Sequence, residues 1–247
     1  MTNAVGPRAV FGVVVPSTNP VVEHDYWSAG VPGIAYRAGS MYIPNPVMSN
    51  DEDFEALLGQ IRASIDKAVR DVLTAEPDRM VMGMSAETFW GGVEGNAAFE
   101  QRLRDRTGLP VTTGASSCRA ALQELGCRRI AVFSPYQPIA DREVGRFFTE
   151  AGFTVEAITG LRCPTAMDIA RVPDDRLREV VAEIDSSDVD AIVQVGTNLS
   201  FVTLADQLEA ELGKPVIAIN SATLWMALRE HGLGDQVAGA GVLLAAH

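Results

Sequence analysis

Cysteine is scarce in this chain: Cys118, Cys127 and Cys163 are an odd three among 247 residues, with no CxxC spacing. That count excludes a disulfide framework and a structural zinc site, and it fits a reducing compartment. No apolar run approaches the roughly 20 residues that cross a bilayer, and the opening MTNAVGPRAV has neither a basic stretch nor an apolar signal core. The expectation is a cytoplasmic protein without a membrane partner. Runs of Lys or Arg are also missing, and a net charge of −12 repels phosphate backbones and anionic lipids, so nucleic acid is not an expected partner. Neither a GxGxxG after the first apolar run nor a Walker lysine is present, which argues against a nucleotide-binding protein. No metal or organic cofactor is expected. A homo-oligomer is left open.

What the chain does have is apolar residue in quantity, 47% against 21% charged, enough for one sizeable core or two small ones. Six short apolar runs read as buried strands: Phe11–Val15, Arg79–Met82, Val111–Thr113, Ile130–Phe133, Ala191–Val195 and Val216–Ile219. Between them lie segments of helical periodicity, among them Phe54–Leu73 and Leu177–Ile184. Alternation of strand and helix argues for parallel βαβ units in an α/β protein.

The runs end in small polar loops: Ser17-Thr18-Asn19, Ser85-Ala86-Glu87-Thr88, Ala115-Ser116-Ser117, Ser134-Pro135-Tyr136, Thr197-Asn198 and Asn220-Ser221-Ala222-Thr223. In an open parallel sheet, ligands bind at the carboxyl ends of strands, where the following helices aim their free N–H groups. Six such loops could line one cleft, and oriented hydroxyls and amides can hold a small carboxylate even inside an acidic protein. Ordinary helix capping would use the same residue types. Asn19 followed by Pro20 is the clearest such case, because proline suits the first helical position. Order and spacing of the units also show a loose repeat of about 110–120 residues, which points to two similar domains with a cleft between them. The expected division is 1–115 plus 214–247 for the first and 116–213 for the second.

Four segments, FGVVVPSTNPVVE, MVMGMSAETFWGG, RLRDRTGLPVTTGASSCRAALQELGCRRIAVFSPY and DAIVQVGTNLSFVTLADQLEAELGKPVIAINSATLWMALREHG, carry a resemblance over nearly the whole chain. In that order and spacing the sequence resembles the aspartate/glutamate racemase superfamily, and within it the branch of maleate cis-trans isomerases and arylmalonate decarboxylases. The resemblance implies two doubly wound α/β domains with parallel four-stranded sheets, related by a pseudo-twofold axis, with the active site between them. It implies chemistry on carbon acids or activated alkenes that bear carboxylates, using one or two cysteines that follow matching strands. A thiolate can take a proton, return one or add to a double bond. Here those positions fall on Met84 and Gly196, and neither side chain can do so.

The carboxylate-binding parts match better. By resemblance Asn19 occupies the asparagine of a P-S-x-N motif, Tyr136 a tyrosine after the first strand of the second domain, and Ser85 a hydroxyl of the carboxylate pocket. An amide, a phenol and a hydroxyl can donate to carboxylate oxygens and to an enediolate without carrying charge. Some isomerases use a further asparagine in the segment matching 162–170, and this chain has none there. Glu87 is the one carboxylate in an expected cleft loop, so burial could raise its pKa into a useful range for acid–base work; a first-turn glutamate stabilised by the helix dipole is the competing reading. His24 is a second candidate proton carrier, and Phe89 and Trp90 are expected to form an apolar wall. Cys118 sits in the apolar pattern of a helix, whereas Cys163 lies in a stretch that approaches the family's site. The expected catalytic groups are Tyr136, Ser85 and Glu87. The expected substrate-binding residues are Ser17, Asn19, Met84, Ala86, Gly196, Thr197 and Asn198. Two functions remain in view: a cofactor-independent isomerase or decarboxylase of small carboxylates that does not use the family cysteines, and a non-catalytic carboxylate-binding or regulatory protein of the same fold.

Overall fold

A computed structural model describes residues 3–247; Met1 and Thr2, where the first expected domain and the N-terminal reading begin, lie outside the described residues. The first half runs β1 (Ala9–Pro16), α1 (Val21–Ser28), β2 (Ile34–Met41), α2 (Asp51–Leu73), β3 (Arg79–Met82), α3 (Ala86–Phe89), α4 (Gly92–Thr107), β4 (Val111–Thr112) and α5 (Gly114–Glu124). The second runs β5 (Arg129–Ser134), α6 (Pro138–Glu150), β6 (Thr154–Gly160), α7 (Ala166–Ile169), α8 (Asp174–Ile184), β7 (Ala191–Gln194), α9 (Val202–Leu212), β8 (Val216–Ala218), α10 (Ile219–Glu230) and α11 (Val242–Ala246). The protein is α/β, with two four-stranded sheets in the orders β2-β1-β3-β4 and β6-β5-β7-β8, every pairing parallel.

Two strands, β2 and β6, have no counterpart among the six apolar runs. Both are edge strands with partly exposed side chains, so neither carries the continuous apolar run of a strand buried on both faces. The inner strands are fully covered: all four residues of β3 and all four of β7 are buried. Both sheets have the same topology. The amides of Gly83 and Val195 donate to the carbonyls of Val14 and Phe133 respectively, so Met84 and Gly196 stand at equivalent positions past their strands.

Helix α2 begins at a cap, where the Asn50 side chain accepts from the Asp53 amide at 2.8 Å, and Asp51, Glu52 and Asp53 follow in the positive first turn. Its buried stripe starts with Phe54, Leu57, Leu58 and Ile61 and continues through Ile65 to Val72. The far end docks on the sheet because Gly12 and Gly39 have no Cβ; one at either position would stand 2.5 and 2.1 Å from methyl groups of Val72. The near end is thereby left to reach over the strand ends.

The return crossing differs from the expected boundary at residue 214. β8 pairs with β7 in the second sheet, and the chain crosses back only after Ala218. α10 then packs on α5, α1, β3 and β4, where Glu230 reaches the buried Arg79 at 2.5 Å and Thr112 at 3.3 Å. Among the described residues no helix is long and apolar enough to cross a membrane.

Candidate active site

The loops after β1, β3, β5 and β7 meet where the strand order of each sheet reverses, the place at which open parallel sheets bind ligands. They line a cleft of about 560 Å3, open solvent included. Its polar floor holds Asn19, Ser85, Tyr136, Thr197 and Asn198. These side chains form a chain of contacts across the two halves. The hydroxyls of Ser85 and Tyr136 share a short hydrogen bond, the Thr197 amide donates to Ser85 Oγ at 3.3 Å, and Asn19 Nδ2 donates to Thr197 Oγ1 at 3.3 Å. Tyr136 also donates to the Val195 carbonyl at 3.3 Å. Burial pushes its phenol pKa up, and the Ser85 contact opposes only part of that rise. Tyr136 is therefore a neutral hydrogen-bond donor at physiological pH.

Asn19 caps a helix and also lines the cleft. Its Oδ1 accepts from the amides of Val21 and Val22 at 3.0 and 3.2 Å, which caps α1, while its Nδ2 faces the second half. Met84 and Ala86 also line the cleft. Ser17 does not: it is exposed and exchanges hydrogen bonds with the backbone of Ile43, at 2.9 Å from the Ile43 amide, and Thr18 takes the inward place. Gly196 is absent from the lining as well. Its carbonyl is held by Gln194 Nε2, and a Cβ here would stand 2.5 Å from the Pro135 ring.

Glu87 is buried and borders the cleft, but Arg62 of α2 grips both carboxylate oxygens, with Nε at 3.0 and 2.9 Å and Nη2 at 2.8 Å. The lone buried carboxylate expected from sequence is thus one partner of an ion pair with two-point geometry, a positioning device more than a free proton carrier. The sequence carries no short-range sign of this, because the partner lies 25 residues away. His24 is exposed and away from the cleft. Phe89 packs against Phe147 and Phe148, and Trp90 lies under the Arg62 guanidinium on an outer groove. Neither forms the apolar wall.

That wall comes instead from α2, through Phe54, Leu57, Leu58 and Ile61, with Ile43 and Met48 before it and Ile169 of α7 opposite. Periodicity marks the α2 residues as a buried stripe, yet a stripe facing a cleft and one facing a core read alike. The segment before α2 is tied across to the second half. The Met48 amide donates to the Pro164 carbonyl at 2.8 Å, Gln137 Nε2 to the Met48 carbonyl at 2.5 Å, and the Asp51 carboxylate accepts from the Ile139 amide and Arg142, each at 2.8 Å.

Of the six loops expected from sequence, four line the cleft, joined by the segments after β2 and β6. Thr113 caps α5 by accepting from the Ser116 amide, Ser117 donates to the Thr113 carbonyl at 2.6 Å, and Thr223 donates to the Ile219 carbonyl at 2.7 Å. A Cβ on Gly114 would lie 2.6 Å from Ile219 Cδ1, so the loops after β4 and β8 are occupied in joining α5 to α10.

The family model described as arylmalonate decarboxylase matches residues 12–244. A maleate isomerase of Pseudomonas putida is 26% identical over 240 residues, 95% of this chain and 96% of its own. An arylmalonate decarboxylase of Bordetella bronchiseptica is 31% identical over 159 residues, 62% of this chain and 65% of its own. Among solved structures, a Nocardia farcinica maleate cis-trans isomerase mutant with a covalently bound succinylcysteine intermediate has a TM-score of 0.86 at 23% identity, covering 97% of this chain and 99% of that one. The chain therefore belongs to the arylmalonate decarboxylase family, whose relatives include cofactor-independent isomerases and decarboxylases.

Proposed function

We propose that the cleft binds a small carboxylate with an apolar substituent and stabilises an enediolate-like anion, in a decarboxylation or isomerisation that does not use the family cysteines. The observation that carries this reading is the division of the cleft into a floor of neutral donors and an apolar wall of aliphatic side chains and Phe54. Donors that face developing negative charge in a partly dry site stabilise it without reorganisation. Maleate has a carboxylate at each end, and the wall offers its second carboxylate no cation or side-chain donor. An aryl- or alkylmalonate places its carboxylates at one end and its apolar group at the other, which fits both surfaces.

For such a substrate the carbon–carbon bond to one carboxylate breaks, CO2 leaves with no base required, and the electron pair stays on the remaining carbon and carboxylate. Ser85 and Tyr136 supply hydrogen bonds to that anion. The Tyr136 phenol, kept protonated by burial, is the acid at the polar end that can give the carbanion a proton, and the phenolate it leaves takes one back from solvent. Glu87, held by Arg62, orients the loop that carries Ser85. A succinylcysteine is described in the Nocardia relative; the residues lining this cleft include no cysteine to form one.

That same feature favours a second reading, a carboxylate-binding protein without catalysis. Incubation with maleate, aryl- and alkylmalonates and amino acids in D2O, followed by NMR, separates the two. Release of CO2 with deuterium in the product is expected from a malonate. Ligand-induced shifts without turnover across the panel would leave the binding protein, and no shift with any carboxylate would end both readings.

A further inference from the structure

Asn198 lies on the cleft floor and is 7% exposed. Its Nδ2 donates to the Thr18 carbonyl at 3.2 Å and to the Ala166 carbonyl at 2.8 Å, one from each half of the protein. Those two acceptors determine which way the amide faces, because turning it over would set Oδ1 against both carbonyl oxygens. Its Oδ1 is left shielded from solvent and without a partner. Among the described residues with such orphaned buried atoms, Asn198 is the one that lines the cleft; those of Asn220 and Ser221 border a separate, smaller cavity. A buried acceptor without a donor is costly, and native proteins rarely leave one unmatched.

An amide oxygen repels a carboxylate, so Asn198 Oδ1 does not serve the acid end of a ligand. It belongs to the residue after Thr197, whose amide reaches the Ser85–Tyr136 pair, and Asn198 lines the same cleft as that pair. A charged ammonium would find no free counter-ion there, since Glu87 is engaged by Arg62. We infer that the ligand of this cleft carries a neutral hydrogen-bond donor, a hydroxyl or an amide N–H, on the carbon next to its carboxylate, and that Asn198 Oδ1 receives it. Asn198 is then a specificity-determining residue that selects 2-hydroxy- or 2-amido-substituted carboxylates over their unsubstituted counterparts. This rests on the carboxylate reading of the cleft.

Titration calorimetry with phenylacetate, each enantiomer of mandelate, and the matching O-methyl mandelates tests it. One mandelate enantiomer should bind about 5- to 150-fold more tightly than phenylacetate, the span expected for satisfying a buried acceptor, and its methyl ether should lose that gain. In Asn198→Ala the ratio between mandelate and phenylacetate should fall to about one. The wild-type comparison stands even where that variant does not fold. Equal affinities for phenylacetate and both mandelates, or an ether as good as the alcohol, would overturn the assignment of Asn198 and leave the carboxylate reading intact. Failure of every compound to bind would overturn the carboxylate reading, and the inference with it.

Discussion

Past β1 and β3 the chain runs through Ser17-Thr18-Asn19 and Ser85-Ala86-Glu87; past β4 and β8 it runs through Ala115-Ser116-Ser117 and Asn220-Ser221-Ala222. The two sets are alike in composition and unlike in use. The first set, with its counterparts after β5 and β7, opens on the cleft, whereas the second caps and packs α5 and α10. Position in the sheet accounts for the difference. β1 with β3, and β5 with β7, flank the points where strand order reverses, so the helices that follow diverge and leave a crevice. β4 and β8 are edge strands, and their helices close on each other. The sets touch where the Ala115 amide donates to Thr88 Oγ1 at 3.3 Å, and where Asn220 Nδ2, from the second, donates to the Thr197 carbonyl of the first at 3.0 Å and to Asp25 Oδ2 at 2.7 Å.

That junction should give the largest effect of substitution. Burial raises the Asp25 carboxyl from 3.8 to about 6, with Asn220 and His24 opposing. The folded state therefore binds this proton more tightly than the unfolded chain does. The resulting stabilisation is full below about pH 4 and is lost as pH rises through about 6, a difference of about 3 kcal/mol. Urea denaturation of wild type and Asp25→Asn between pH 4 and 8 should show the variant gaining stability relative to wild type across pH 4–6, and nothing further above pH 7. Parallel profiles would mean that Asp25 titrates normally and that the junction is not strained by its charge.

Next comes Tyr136→Phe, which keeps the ring packed against Phe54 and deletes one neutral donor. Affinity for a carboxylate, or turnover, should fall about 10- to 150-fold, corresponding to roughly 1.5–3 kcal/mol for a hydrogen bond to a charged group. A loss confined to kcat would place the bond in the transition state. Unchanged binding and unchanged turnover would make the tyrosine structural and remove it from the floor.

Thr113→Ala probes the other set of loops. The Thr113 hydroxyl accepts from Asn96 Nδ2 at 3.0 Å, donates to Glu100 at 2.8 Å and caps α5, so thermal unfolding should show a loss of about 1 kcal/mol. Ligand affinity should stay as in wild type; a fall comparable with that of Tyr136→Phe would erase the division between the two sets. Iodoacetamide should have the smallest effect. Burial pushes the Cys118 thiol up strongly and those of Cys127 and Cys163 to about 11, so few thiolates exist at neutral pH. Mass spectrometry of the native protein after brief treatment should find it unmodified and as active as before, whereas inactivation that substrate prevents would bring Cys163 back into the mechanism.

Much of this was open to reading along the chain. The inner strands appear as short, mainly apolar runs because both of their faces are covered, and α2 appears through the stripe from Phe54 to Val72. Asn19, Ser85, Tyr136, Thr197 and Asn198 could be chosen because each follows a strand whose end is marked by Gly, Pro or a polar residue. β2 and β6 were not legible, since an edge strand with exposed positions has no continuous run. Ser17 and Thr18 are adjacent, similar residues, and only the course of the backbone decides which one turns inward.

The sequence by itself determined the class of the protein, the repetition of its βα units and the chemistry available at the strand ends, because all of these follow from local composition and period. Which loops share a cleft was decided by strand order, a long-range property that similar polar loops do not encode singly. Tertiary structure also decided the state of each group. Glu87 met Arg62, Asn19 divided its amide between a cap and Thr197, and the α2 stripe became a wall in place of Phe89 and Trp90. In each case the partner lies on an element distant in sequence, and pairing, burial and dielectric environment arise only when the two halves close on one another.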